Sequence, residues 1–547
     1  MFASLTRKAA HVMGDPVLRR WLIGRALGRH PGEPSFSAHR PPYLQDRLPL
    51  ASEPATPPQA FRELGATLPT AAIDLPLPGL TLSLQPGEEQ GLFDRTFADT
   101  ETLLAVHRFA WLPLLGDTVD AAWLGAIWRA WRARHGTPGE GWAWHPYTAA
   151  ERAINILRVA RALGLPGSLD ETLDDLARHA PEIADRLEYF GDHHTSNHLA
   201  NNGRGVFLLG LWLGLPKATE LGGRILIEEA ARIFGPSGML REGSSHYHLL
   251  LTKNYREVAT EAAAHGRPEA SALREIADRA TAAAAALLLP GGVPLIGDIS
   301  PDCSPEKVLQ DLGLPATTFP DDLTNDGWLR YDHGPWSGLW YVAPQGWRQM
   351  PGHGHEDCGG FELHFEGAPL FIDAGRGSYG DSGDFACCGR AHNTLLVDHQ
   401  DPYPPNRPYY GDSFRHQICG DDPELVSTVT GVQVHHQGFS RLGGLGAVDR
   451  RWQFSENALI LSDSVDGNGT HTISRYLVTP LAAELTGEGV IVRGDGGDFR
   501  ISAPAIGPTV MPVTRWTAYG QGEPVSLIGF ETRAPLPWGG EIRVEKI

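Results

Sequence analysis

A helical half followed by an antiparallel β half is the fold that the sequence predicts, and the evidence is a change of period along the chain. From near Thr100 to about Leu289, apolar residues recur at helical spacing between stops such as Gly164-Leu165-Pro166-Gly167, Gly214-Leu215-Pro216 and Gly235-Pro236-Ser237-Gly238. From about Trp328, short runs alternate with period two between Gly- and Asp-rich turns such as Asp466-Gly467-Asn468-Gly469.

In the helical half the spacing predicts helices over 101–115, 121–135, 148–163, 169–179, 182–190, 197–213, 219–234, 245–265 and 270–289. Similar lengths and short turns imply stacked helical hairpins, in a bundle or a toroid, without the fixed sequence period of a named solenoid. A bridging stretch, Leu295 to Leu314, leads into β runs at Leu339–Val342, Leu363–Phe365, Thr394–Val397, Leu459–Leu461, Thr472–Leu477, Val490–Val492 and Ile542–Val544. These predict a sandwich of two sheets. The expected divisions are an N-terminal segment and Pro-rich connector over 1–94, a helical domain over 95–315 and a β-sandwich domain over 325–547. The connector, with Pro41-Pro42, Pro57-Pro58 and Leu75-Pro76-Leu77-Pro78, is expected to pack irregularly on the helices.

Composition narrows the function. A hydrophobic fraction of 41% with 20% charged residues is that of a globular protein, and no apolar run reaches membrane-spanning length. A net charge of −19 argues against nucleic-acid binding, which needs a basic surface to neutralise phosphates. The five cysteines, two of them adjacent and none in a CxxC pair, form no disulfide framework. Met1 to Gly28 is interrupted by His11, Asp15, Arg19 and Arg20, so it reads as an amphipathic or loosely ordered segment and not as a secretion signal. The expected location is the cytoplasm, with the periplasm as the alternative.

Three stretches carry candidate chemistry. Thr195-Ser196-Asn197-His198 opens a helix and follows His193-His194, and Glu242-Gly243-Ser244-Ser245-His246-Tyr247-His248 opens another. Each is polar where a packing face is normally apolar, although a capping Asn, a satisfied core His or a buried Tyr would explain any one of them alone. In the β half, Gly352-His353-Gly354-His355-Glu356-Asp357 precedes the alternating run Phe361 to Phe365. A strand beginning at the histidines would project His353, His355 and Asp357 to one side. Asp373 ends a second apolar run and His392 opens a third, so two imidazoles and a carboxylate at strand ends can hold a divalent metal. From spacing alone, polar groups satisfying one another at a sheet edge explain them equally well.

Taken together, Asn-His, then Glu-x-Ser-x-x-Tyr-His, then His-x-His-x-Asp, Asp-x-Gly and Arg-x-His-Asn-Thr occur in an order that resembles the heparinase II/III-like polysaccharide lyases. The resemblance runs from about Thr100 to the C-terminus. It implies an N-terminal (α/α) toroid joined to an antiparallel β-sandwich, with a cleft between them, and β-elimination on uronic-acid-containing glycans. It further implies that Asn197 and His198 neutralise the uronate carboxylate, that Tyr247 acts as base and acid with its pKa lowered by a cationic imidazole, and that His353 is a second proton-transfer group. Glu242, His248, Tyr379 and Arg390 are substrate-binding candidates. His355, Asp373 and His392 would hold one structural divalent metal, zinc first. The expected partner is an acidic polysaccharide or oligosaccharide, with no nucleic acid, no membrane span and, as an option, a second copy of the chain. The alternatives are a glycoside hydrolase using two carboxylates, among Glu151, Glu242, Asp298 and Asp357, and a non-catalytic glycan-binding protein of an exopolysaccharide locus.

Overall fold

The computed structural model describes residues 16–29, 40–47, 49–65, 67–314, 319–320, 322–349, 352–380, 383, 385–407, 410, 412–494, 496–504 and 507–547. Residues 1–15 of the N-terminal segment and 30–39 of the Pro-rich connector lie outside them.

Helices fill the first half: Thr100–Arg108, Trp111–Leu115, Ala121–His135, Pro146–Leu163, Leu169–Ala184, Asn197–Leu213, Pro216–Ile233, Ser245–Ala264, Ala270–Ala286 and Pro305–Leu312. They form a toroid of helical hairpins. The single helix expected over 101–115 is broken at Phe109, which takes the left-handed conformation at φ 54° and closes the first piece. The two helices expected over 169–190 are one, Leu169–Ala184, which runs through Pro181. Its buried face of Leu173, Leu176, Ala177, Ala180 and Ile183 carries the helix across the N–H that proline lacks. Beyond it, residues 187–190 are not helical; Glu188 donates its N–H to Asn202 Oδ1.

The connector is less irregular than its prolines imply. Ile73–Leu77 and Leu80–Leu84 pair as an antiparallel hairpin, with Pro76 opposite Thr81 in a two-stranded sheet whose outer edges have no partner strand to feed. Leu75, Leu77 and Leu84 join the helical core. The N-terminal segment contains a helix, Pro16–Ala26, and its Val17 and Trp21 pack into the core of the β half, not onto the toroid as expected.

Among the described residues the β half is antiparallel and has three sheets where two were expected. In spatial order, an eight-stranded sheet contains Ala482–Thr486, Gly489–Gly494, Gly497–Ser502, Trp538–Lys546, Ala458–Gly467, Leu445–Phe454, Gly431–His436 and Glu424–Thr428. A four-stranded sheet contains Pro508–Ala518, Gln521–Pro535, Thr470–Thr479 and Leu395–Val397, and a second one Trp328–His333, Trp336–Tyr341, Gly360–Phe365 and Ala368–Phe371. Trp336, Trp340, Phe361, Trp452, Phe499, Ile528 and Val544 interdigitate between them, each fully buried apolar side chain contributing roughly 1.5–3 kcal/mol. A separate cluster of Met239, Ala283, Leu287, Ile296, Trp328, Leu339 and Tyr341 fastens the sheet that carries His364 to the last toroid helices. No helix among the described residues is long and apolar enough to cross a membrane.

Candidate active site at the junction of the two halves

Backbone pairing sets the site. The segment after the toroid, Leu295 to Ile299, lies between the halves and bonds to both. Ser245 donates its N–H to Ile296 O (3.0 Å), Asp298 to His353 O (2.9 Å) and Ile299 to Arg376 O (2.7 Å), while His353 donates to Glu242 O (2.8 Å). Gly297, at φ +81°, is needed here: a Cβ would lie 2.5 Å from Gly243 O and 2.8 Å from His353 O. Three distant stretches, 242–247, 296–299 and 353–355, are thereby held side by side. The His-x-His pair sits in the loop before the strand Gly360–Phe365 and not on a strand, so His353 and His355 do not alternate as strand neighbours.

The helix Asn197–Leu213 enters the same place. Every residue of it is buried except His198, so this one side chain reaches solvent at the junction of the halves. Ser196 caps it by accepting from the His198 N–H, and the buried Glu242 carboxylate accepts from the Asn197 N–H (2.6 Å), an anion at a helix N-terminus. Glu242 Oε2 also accepts from Asn197 Nδ2 (2.8 Å), which lies 3.2 Å from His353 Nε2. Both amide hydrogens of Asn197 are therefore turned inward, toward Glu242 and His353.

His353 is held on three sides. Its Nδ1 is 3.1 Å from Asp298 Oδ2 and 3.4 Å from the Tyr379 hydroxyl, and its Nε2 is 3.3 Å from Glu242 Oε2. The Tyr247 ring stacks on the imidazole with centroids 3.6 Å apart and planes 8° from parallel, and the Tyr247 hydroxyl is 3.2 Å from that of Tyr379. Tyr379 is anchored in turn by its N–H, which donates to the Tyr519 hydroxyl (3.2 Å), itself a donor to Asp99 Oδ2 (2.7 Å).

Electrostatics corrects one expectation. Burial, then Glu101, Asp302 and Asp298, push the Tyr247 phenol well above its ordinary pKa, against the opposing hydrogen bond with Tyr379. Tyr247 rests as a neutral phenol, chiefly because burial disfavours the phenolate and the surrounding carboxylates add to that. The His198 pKa is raised as well, which for an imidazole favours the charged form. Burial opposes its charge, but Glu188 at 2.7 Å, followed by Glu242, raises its pKa. The Glu188 carboxylate is held at about 2: burial works against ionisation, and His198 at 2.7 Å, His145 and Asn202 overcome it. His198, with a side chain 42% exposed, is thus shifted toward its protonated form while still reaching solvent.

The second cluster lies just behind. One ligand atom from each of His355, Asp373 and His392 falls within 4.8 Å of the others, and all three residues are buried. His392 Nε2 donates to Ala386 O (2.8 Å) and Nδ1–H to Asp373 Oδ2 (2.7 Å), so Nδ1 is the nitrogen that a cation would take in place of its proton. His355 Nε2 is 2.9 Å from Asp298 Oδ1, which leaves Nδ1 bare, and this buried atom has no hydrogen-bond partner; neither does buried Asp357 Oδ2. Outer nitrogens that donate to oxygen and inner nitrogens that are bare or can give up a proton are what a metal-binding imidazole needs, so the residues present fit a cation. The local charge agrees. Burial works against protonation of His392, yet Asp373 and Asp357 raise it to about 9.

Three other candidates are corrected. His248 is fully buried, accepting from Leu240 N–H at Nδ1 (3.1 Å) and donating to Ala280 O from Nε2 (3.0 Å), so neither nitrogen is available to a substrate. Glu242 is fully buried and spent on Asn197 and His353. Arg390 is exposed and reaches Met511 Sδ and the Tyr476 ring, not the cluster. The arginine at the site is Arg376, whose Nη1 is 3.7 Å from Asp298 Oδ1 and whose guanidinium lies 4.8 Å from the Tyr379 ring centroid. Sequence reasoning missed Arg376, Glu188 and the role of Asp298. A positive-φ glycine just before Asp298 was the one local signal available.

Residues 318–524 match the family model described as Heparinase II/III-like, C-terminal. No curated protein matches the chain at the level of sequence. Among solved structures, the chain is similar to a heparinase III at a TM-score of 0.63 and 16% identity, covering 83% of this chain and 78% of that one. A second heparinase III gene product gives 0.57 and 14%, over 97% and 91% of the two chains. The heparan sulfate lyase HepC from Pedobacter heparinus gives 0.52 and 16%, over 85% and 79%. At these identities the likeness establishes the fold, a helical toroid followed by antiparallel sheets.

Proposed function

We propose, for a chain whose residues 318–524 are a heparinase II/III-like C-terminal domain, that it is a polysaccharide or oligosaccharide lyase cleaving uronic-acid-containing glycans by β-elimination. The observation that carries this reading is the meeting of Tyr247, Tyr379 and His353 next to Asn197-His198, where the exposed imidazole is shifted toward its charged form by Glu188.

The reaction removes a proton from the carbon beside a carboxylate, a very weak acid unless the charge developing on that carboxylate is stabilised. The His198 imidazolium supplies a positive charge there, and Arg376 lies 3.7 Å from the Asp298 carboxylate that holds His353. Asn197 supports the arrangement by orienting His353. With Nδ1–H donated to Asp298, His353 takes the proton at Nε2 once substrate displaces the Asn197 amide, 3.2 Å away, from that nitrogen. Neutral Tyr247 returns one to the glycosidic oxygen as it leaves. Dividing the two transfers between His353 and Tyr247 replaces the expectation that one tyrosine does both.

Two further elements complete the reading. A divalent metal, zinc first, would be held by His355, Asp373 and His392, and when bound it supplies a positive charge that ties together the loops next to His353. Trp142, 49% exposed and 5.5 Å from the His145 ring beside Glu188, is suited to stack on a sugar. The substrate class this favours is an acidic exopolysaccharide or an oligosaccharide derived from one.

The hydrolase alternative fares worse because Asp357 is buried against His355 and His392 and the other candidate carboxylates are committed. Asp298 serves His353 and His355, Glu242 serves Asn197, Glu188 serves His198 and Asn202, Glu151 serves Arg204, and Asp302 serves Tyr147 and Arg108. The test is incubation with a panel of uronate-containing polysaccharides. A product absorbing in the ultraviolet through its new C4–C5 double bond supports the proposal; new reducing ends without that absorbance contradict it.

A pH effect follows from Glu188. The raised pKa of His198 keeps the imidazolium present below it, and the charge is lost as pH rises through it. Glu188→Gln removes the largest cause of the raise, so the alkaline limb of kcat/KM is expected to move to lower pH. An unmoved limb would show that His198 is not the group titrating there.

A further inference from the structure

A second set of ligands lies against the first and shares one residue with it. Asp298, His355 and Cys387 each offer an atom within 4.8 Å of the other two, with Asp298 and His355 buried and Cys387 partly exposed. Cys387 ends a short 3-10 turn, Phe385–Cys387, and its carbonyl accepts the Glu356 N–H (3.0 Å), which pins the thiol beside the histidine loop. His355 Nε2 is already 2.9 Å from Asp298 Oδ1, so two of the three donors are in place.

We infer that Asp298, His355 and Cys387 form a regulatory site for a thiophilic divalent cation, adjoining the His355–Asp373–His392 set through His355 and inhibitory when filled. A nitrogen, an oxygen and a sulfur donor suit zinc, cobalt or cadmium and not magnesium or calcium, which take oxygen ligands. Binding forms metal–sulfur, metal–nitrogen and metal–oxygen bonds. The Cys387 thiol proton is released to solvent; with the other set empty the His355 proton shifts from Nε2 to Nδ1, and with that set filled through Nδ1 the Nε2 proton is released as well, with no change of oxidation state in either case. His355 would present Nε2 to this ion and Nδ1 to the other. As a neutral ring it serves one at a time, and both together require it as an imidazolate bridge.

The consequence for the active site comes through Asp298. Its Oδ1 now accepts from His355 and its Oδ2 from His353 Nδ1. An ion ligated by Asp298 withdraws the carboxylate that fixes the His353 tautomer. That inhibitory effect rests on the lyase reading; the binding does not.

The test uses the full-length protein as purified, titrated with cadmium chloride. The near-ultraviolet thiolate-to-cadmium absorption is expected in the parent and in Cys388→Ser but not in Cys387→Ser, with magnesium producing none. Cadmium should also slow alkylation of Cys387 by iodoacetamide several-fold, followed by peptide mass spectrometry. The same absorption in Cys387→Ser, or unchanged alkylation of Cys387, would overturn the site. Where a cleaved substrate is in hand, cadmium should inhibit the parent and leave Cys387→Ser several-fold less sensitive. Equal inhibition of both, with the spectral difference present, would overturn the regulatory role alone, and absence of any lyase activity would count against the proposed function and not against the site.

Discussion

Tyr247→Phe is expected to lower turnover by about 10²-fold or more, the contribution of a positioned acid-base group, while folding stability changes by only ~1 kcal/mol. The substitution removes one oxygen whose hydrogen bond is to the Tyr379 hydroxyl (3.2 Å), and it keeps the ring that stacks on His353 at 3.6 Å. KM should hold, because His198, Arg376 and the cleft walls are untouched. The role as acid has its own signature. A uronide carrying an aryl leaving group that departs without protonation should regain most of the lost rate in the Phe variant, but not in His353→Ala. Retention of turnover on the natural glycoside would reduce Tyr247 to a packed aromatic.

His392→Ala is the change with the largest expected cost in stability. It removes a ring that is fully buried with Asp373 Oδ2 at 2.7 Å, leaving the buried carboxylates of Asp373 and Asp357 without their counter-charge. Breaking such a pair costs about 3–5 kcal/mol, to be read as a fall in the urea midpoint. Elemental analysis of the parent purified without added metal should find close to one equivalent of a divalent metal, and the variant should hold far less. A variant with unchanged midpoint and metal content would place the cation elsewhere.

What was legible in the sequence is what is encoded locally. Helix starts at Asn197 and Ser245 are written in their caps, Ser196 and Ser244, and the change from helical to alternating period marks the passage between halves. The metal-competent trio could be named only through the family resemblance, since spacing alone left polar groups at a sheet edge equally possible. What was not legible depends on long-range contact. His248 and Glu242 carry the right residue types at the right offsets, yet Ala280 and Asn197, distant in sequence, decide that they face inward. Arg376 and Arg390 look alike in sequence. Only the pairing of Ile299 with Arg376 turns the former toward Asp298. The acidity of Tyr247 was misjudged for the same reason, since Glu101, Asp298 and Asp302 are supplied by other parts of the chain. Pro76 misled in the connector, because proline excludes a central strand but not a two-stranded hairpin.

The central claim is that the glycosidic bond breaks by elimination and not by addition of water. Digestion of a uronate-containing substrate in oxygen-18 water, followed by mass spectrometry of the cleaved fragments, tests it most directly. The account predicts one fragment lighter than its hydrolytic counterpart by a molecule of water and no heavy oxygen introduced by the cleavage step. Fragments of full hydrolytic mass, with one oxygen-18 incorporated per bond cleaved, would contradict it.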